Sequence, residues 1–393
     1  MVSESMLKLG TARSVIRELF EFGKKRAAEV GAENIFDFSI GNPSVPASAA
    51  LNETLIRLLQ EQPDTIHCYT SAQGDALVRQ RFADSLNRRF GTAYTAEEFF
   101  VTGGAAPSLC GVFRGLSCPG DEYILFAPYF PEYKVFVESN GGKTVIIPPE
   151  IEGFQIDFDA LEQAITPNTK AVVLNNPNNP SGVVYSRETL EKLAAVLTAR
   201  SEAYGHTIYI ISDEPYREIV FEGSTVHWIP HIYKDTIICY SFSKALSVPG
   251  ERLGYVLVPK DIADSAAVYA AVAGASRSMG HVNAPSLFQH ATSLCCDMTA
   301  DLSVYEKNCK LLVSALREMG YYVAEPGGAF YLFPRALEQD DFAFSERAKQ
   351  FGLLLVPGSG FGAPGHFRIS YCVQTEMIER ALPAFKALAD SYR

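Results

Sequence analysis

Lys244 stands in the run SFSKALSVPGERLGY, directly after the apolar stretch TIICY, with Ser241 and Ser243 just before it and Arg252 eight residues on. A lone lysine after a strand is ordinarily a solvated surface cation. When desolvation lowers its pKa, however, its amine becomes a nucleophile, and lysine is then the residue type for a Schiff base. Asp213 closes another apolar run in the segment SDEPY. A carboxylate there is costly unless it meets a cation, although an Asp just past a strand can also simply cap a helix. In VTGGAAPSL, Gly104, Ala105 and Ala106 turn from a strand into a helix, which turns unpaired N–H groups and the positive end of the helix dipole toward an anion. Any Gly-Gly turn opening a helix looks the same. In NNPNNPSG two prolines keep the exit from a strand extended, so that Asn179 projects an amide toward the ligand edge of the sheet, where a generic Asn-Pro turn is the plainer reading. Arg368, in HFRISY, lies in a strand-like run, and a buried-strand arginine without a partner is rare.

These residues need a scaffold that brings strand ends together. Between about 98 and 260, short β-branched or aromatic runs recur: EFFV, EYILF, KTVII, KAVVL, TIYII, TIICY and GYVLV. They are continuously apolar, as expected of strands buried on both faces of a mostly parallel sheet. Helical patterns lie between them, including SRETLEKLAAVLTARSEAYG, with Ser186 as N-cap and Gly205 as stop. Nearer the N-terminus, Ser14 can cap a helix bearing Ile16, Leu19 and Phe20, and a second helix carries Leu77, Phe82, Leu86 and Phe90 toward Gly91. From about Asp301 the order becomes helix, strand (YYVA), strand (AFYLF), helix, strand (LLLV), strand (FRISY) and helix, a smaller α+β lobe. Ligands of open α/β sheets bind beyond the carboxyl ends of the strands, which is where the residues above fall.

At 393 residues the chain exceeds a single core, so two lobes are expected. A net charge of −11 disfavours nucleic acid and anionic lipid and favours a small-molecule partner. The eight cysteines show no C-x-x-C pairs or metal-ligand spacing, so no metal site is expected. The start, MVSESMLKLGTARSVIREL, lacks a signal-peptide pattern, and no stretch is apolar enough for a membrane span, which points to the cytoplasm.

Taken together and in this order, VTGGAAPSL, NNPNNPSG, SDEPY and SFSKALSVPGERLGY resemble the class I and II aminotransferases, aspartate-aminotransferase-like enzymes of fold type I that depend on pyridoxal 5'-phosphate, and the likeness runs over essentially the whole chain. The resemblance implies a large cofactor-binding domain over 46–285 and a small domain made of 1–45 and 286–393. It implies that Lys244 carries the cofactor as a Schiff base and later moves the proton, and that Ser241, Ser243 and Arg252 bind the phosphate with the turn Gly104, Ala105 and Ala106. Asp213 would hold the proton on the pyridine nitrogen, Asn179 and Tyr216 would share the phenolic oxygen, and Phe130 of APYFPEY would stack on the ring. Arg368 would grip the substrate's α-carboxylate, with Gly41 of FSIGNPS near the substrate. Tyr69 of YTSAQG would reach the phosphate of the neighbouring subunit of a homodimer. Asn283 of GHVNAPSLFQ falls in a recurrent segment with no assigned role.

The activity so implied is transfer of an amino group from an L-amino acid to a 2-oxo acid. The same site could also serve a lyase outcome, β-elimination or decarboxylation. Aspartate-type relatives often carry a lysine beside the phosphate turn where this chain has Ala105 and Ala106, which weighs against dicarboxylic substrates. A regulator with an aminotransferase-like body would need a DNA-binding domain, for which the residues before the GNP loop are too few and too weakly basic. A nicotinamide dehydrogenase would need a G-x-G-x-x-G turn that the early strands lack.

Overall fold

The computed structural model describes residues 2–12 and 14–393, so Met1 and Arg13 of the quoted N-terminal segment lie outside it. Each apolar run from 98 to 258 forms a strand of one sheet: β1 (Phe99–Thr102), β2 (Glu122–Phe126), β3 (Lys143–Ile147), β4 (Thr169–Asn175), β5 (Tyr209–Asp213), β6 (Thr236–Ser241) and β7 (Gly254–Leu257). The strand order is β1-β7-β6-β5-β4-β2-β3. Only β7 runs against its neighbours, β1 and β6; the other pairs are parallel. Alternate residues feed opposite layers. Ala171, Val173, Ile211 and Cys239 pack with the helices Ala105–Leu116 and Ser265–Ser278, while Val172, Leu174 and Ile210 face the helix Arg187–Tyr204. This two-sided burial is why the runs carry no polar alternation.

Register then gathers the chemistry at one edge. Asn175 pairs with Asp213, Asp213 with Cys239, and Gly254 with both Ser241 and Thr102. The carboxyl ends of β1, β4, β5 and β6 therefore meet side by side, and the loops after them face a common space.

Beyond the sheet, the helices Ser303–Glu318, Asp341–Lys349 and Thr375–Asp390 enclose a second core with Phe36, Phe38, Phe330 and Phe367. Its short antiparallel sheet joins Val356–Pro357, Phe367–Ser370 and Tyr331–Leu332. Two expectations fail locally. YYVA is not a strand: Tyr321, Val323 and Ala324 are buried, but their segment has no ladder partner. Leu77 is 55% exposed, and Val78 takes its place in the core. Ser14 does precede the helix Val15–Val30, without a side-chain capping bond. Among the described residues no helix is long and apolar enough to cross a membrane.

Candidate active site

At the end of β1 the chain turns at Gly104 (φ 102°) into the helix Ala105–Leu116. This backbone region is open to glycine alone, and a Cβ on Gly104 would lie 2.8 Å from Nη2 of Arg252. Arg252 and the helix N-terminus are thus in near contact, with Gly254 backing them so closely that a Cβ there would sit 2.2 Å from the carbonyl oxygen of Tyr240. Thr102 and Ser108 tie the turn down through the carbonyl of Gly104, at 3.1 and 3.2 Å. From the end of β6, Ser241 and Ser243 bond to each other at 2.8 Å and are buried. Amides, two hydroxyls and a guanidinium so clustered have the chemistry to hold an anion.

Asp213 ends β5 and is 4% exposed. Its Oδ2 accepts from the Tyr133 hydroxyl, and the Asn175 amide donates to the Asp213 carbonyl at 2.9 Å. Oδ1 has no partner. Burial above all raises the Asp213 pKa to about 7; Tyr133 opposes the rise and Glu214 adds to it. A dry carboxylate with one free oxygen calls for a cationic donor.

Lys244 donates from Nζ to the Gly41 carbonyl at 2.8 Å, with the Phe330 ring 5.5 Å away. Burial lowers its pKa to about 8; nearby Cys372 works against this, and the positive charges of Arg252 and Arg368 work with it. The amine is therefore far easier to free of its proton than a surface lysine.

Arg368, from the strand Phe367–Ser370, is 3% exposed. It donates to Asn179 Oδ1 at 3.2 Å and to the Ser39 carbonyl, between the rings of Tyr331 and Phe361, while Nε is unpartnered. Tyr216 and Tyr331 share a hydroxyl contact of 2.9 Å.

These groups line one cavity of about 310 Å³. Of the residues singled out from sequence, Gly41, Ala105, Ala106, Phe130, Asn179, Asp213, Tyr216, Ser241, Ser243, Lys244, Arg252 and Arg368 all reach it, and Gly104 stands at its rim against Arg252. Tyr69 does not; it is 94% exposed. Asn283, left without a role, donates to the Thr70 carbonyl at 2.6 Å and so pins the Tyr69 loop. Sequence reasoning missed Tyr133, Asn175, Tyr331, Ile16 and Ile40, which also line the cavity. Asn175 lay within a quoted motif, and Tyr133 is three residues past Phe130. Tyr331 was an interior residue of an expected strand, where nothing marks it.

The donor set fits the expected cofactor: an anion cradle, a carboxylate with a free buried oxygen, and an easily deprotonated lysine share one cavity.

Residues 33–385 match the family model "Aminotransferase class I and II". A probable aspartate/prephenate aminotransferase of Thermus aquaticus is 34% identical over 331 residues, covering 81% of this chain and 82% of that protein. An aspartate aminotransferase of Thermotoga maritima is 29% identical over 94% of this chain and 95% of its own. Among solved structures, an amino transferase of Eubacterium rectale superposes with a TM-score of 0.98 at 51% identity, covering 100% of this chain and 99% of that one. Aspartate aminotransferase of Thermus thermophilus, solved with maleate, gives 0.85 at 26% identity, covering 99% and 100%. The chain therefore belongs to the class I and II aminotransferases, and it is a pyridoxal-phosphate-dependent enzyme of fold type I that passes amino groups between amino acids and 2-oxo acids.

Proposed function

We propose that Lys244 holds the cofactor covalently through Nζ and then serves as the base that takes a proton from the substrate's Cα. The observation carrying this is the meeting, in one cavity, of a lysine whose pKa is lowered to about 8 with an unpartnered Asp213 Oδ1 and an unpartnered Arg368 Nε. Ser241, Ser243, Arg252 and the turn Gly104, Ala105 and Ala106 would take the phosphate. Asp213 would face the ring nitrogen, Phe130 the ring, and Asn179 and Tyr216 the phenolic oxygen. When bound, pyridoxal phosphate supplies an electron sink for the charge left at Cα. The protein's share is orientation and charge. Arg368, already held by Asn179 and Ser39, offers a planar fork to the substrate's α-carboxylate, with Gly41 close by. Ile16, Ile40 and Phe130 give the cavity apolar walls that keep water from the amine.

We read the assembly as a cytoplasmic homodimer in which Tyr69 serves the partner's phosphate site. Its exposure supports this, as does the exposure of Ile56, Leu59, Leu77, Leu294 and Met298 on or beside helices that pack together. We further divide the chain into the two domains expected, a large one over 46–285 and a small one made of 1–45 and 286–393; the helix Ser286–Leu294, at their boundary, packs against Ala49–Glu61 and Ala76–Phe90.

Borohydride reduction of the holoenzyme followed by peptide mapping tests the attachment. The pyridoxyl mass is expected on Lys244. A mass on any other lysine, or on none, removes the assignment.

A further inference from the structure

Asp213 has two oxygens, and the structure treats them differently. Oδ2 accepts from the Tyr133 hydroxyl and stands 3.4 Å from the Asn175 amide, whereas Oδ1 has no partner among the described residues. Tyr133 itself is 2% exposed, on the helix Glu132–Ser139, and among the described residues Asp213 is its one side-chain hydrogen-bond partner. Its ring meets Phe130 edge-on at 5.5 Å, within the buried apolar cluster that also holds Val137, Ile211 and Cys239. A phenol buried this deeply with a single acceptor is not a general filler, because its O–H must be satisfied there or not at all.

Without Tyr133, rotation of the carboxylate about its Cβ–Cγ bond would be opposed only by the long contact to Asn175. With it, one orientation is held and one oxygen is spent. The same bond favours the ionised carboxylate, against the burial and the Glu214 charge that both favour protonation.

We propose that Tyr133 is a positioning residue that locks the Asp213 carboxylate, leaving Oδ1 alone to meet the ring nitrogen of the cofactor and keeping the shared proton on that nitrogen. The inference rests on the reading of Asp213 as the ring-nitrogen partner. Asn175 extends the lock, since its Oδ1 accepts the Asn179 amide at 2.6 Å and Asn179 in turn holds Arg368. The Asn175 side chain thus ties the Asp213 end of the cavity to the backbone of Asn179, whose separate side-chain bond holds the arginine.

The test uses holoenzyme reconstituted with cofactor carrying ¹⁵N in the ring. In the parent enzyme the ¹⁵N resonance should lie at the protonated position. In Tyr133→Phe the carboxylate becomes the stronger base, so the resonance should move toward the unprotonated position. Single-turnover amino-group transfer should slow by about tenfold or more, the range for a lost bond to a charged group. The amino-acid KM should hold, because Arg368 is untouched. Replacing Tyr133 by 3-fluorotyrosine keeps the packing and strengthens the donor, and should move the resonance the other way, which covers a phenylalanine variant that fails to fold. A ring-nitrogen signal indifferent to both changes overturns the role of Tyr133. An unprotonated nitrogen in the parent enzyme overturns the Asp213 reading itself, and this inference with it.

Discussion

A lysine, a carboxylate and an arginine with unmet bonding capacity share one cavity, and the consequences of each can be measured separately. For Lys244 the sign is set by burial, which disfavours the ammonium and brings proton loss down from 10.5 to about 8. Only the free amine can attack the cofactor's carbonyl. Recombination of apoenzyme with pyridoxal phosphate, followed by stopped-flow absorbance, should therefore quicken by about tenfold per pH unit below 8 and level off above it. A rate still climbing at pH 10 would contradict the lowered value. The cations also speak to substrate class. Among the described residues lining the cavity they are Lys244, Arg252 and Arg368, and the proposed function gives each a task, so among those residues a second carboxylate on the substrate finds no spare cation. In a panel of amino donors, neutral amino acids should convert the cofactor faster than aspartate or glutamate. Aspartate as the fastest donor would show that the distal carboxylate is met by other means. At this scale Lys244, Asp213, Asn179 and Arg368 were legible because each is a costly residue type at a strand end or within an apolar run. Tyr133 and Tyr331 were not, since an aromatic in an apolar run reads as core whether or not its hydroxyl is used.

The strands and the helix Ala105–Leu116 turn these residues into a site, and the turn between them is the tightest joint. Gly104→Ala would force a Cβ into a backbone region that only glycine occupies, costing about 1–3 kcal/mol, and would push that Cβ against Arg252. The variant should melt at a lower temperature and release cofactor faster in a dialysis series, with both effects appearing together. A variant that melts and retains cofactor like the parent would mean that the turn relaxes freely. The strand runs were legible because two-sided burial leaves an uninterrupted apolar signature of strand length. YYVA carries the same signature without a ladder, for its apolar residues are buried among side chains of the second core and not between strands. Leu77 was assigned to the wrong face for a related reason. The buried face of that helix is set by Phe99, Phe242 and Tyr255 together with the helix Ser286–Leu294, the last some two hundred residues away in sequence.

For the molecule as a whole, assembly turns on the loop bearing Tyr69. Asn283 and Gln289 hold its neighbour Thr70, at 2.6 and 3.1 Å, so the loop is supported while the Tyr69 ring is exposed and does not line its own cavity. If the ring serves a second copy, Tyr69→Phe should weaken cofactor retention without altering the sedimentation of the dimer, and dilution below the dimer's dissociation constant should release cofactor from the parent enzyme. A cofactor-loaded, active monomer would overturn this. Sequence by itself determined what is local and costly: the apolar strand runs, the Gly104 turn, the charged or amide residues at strand ends, and through their order the family. Only the tertiary structure decided that Oδ1 of Asp213 is free while Oδ2 is taken, that Arg368 is gripped by Asn179 and Ser39, and that Asn283 braces Thr70. Each of those contacts joins residues about 80 to 330 positions apart. Their pairing is set by strand register and by the packing of one core on the other, which no local pattern encodes.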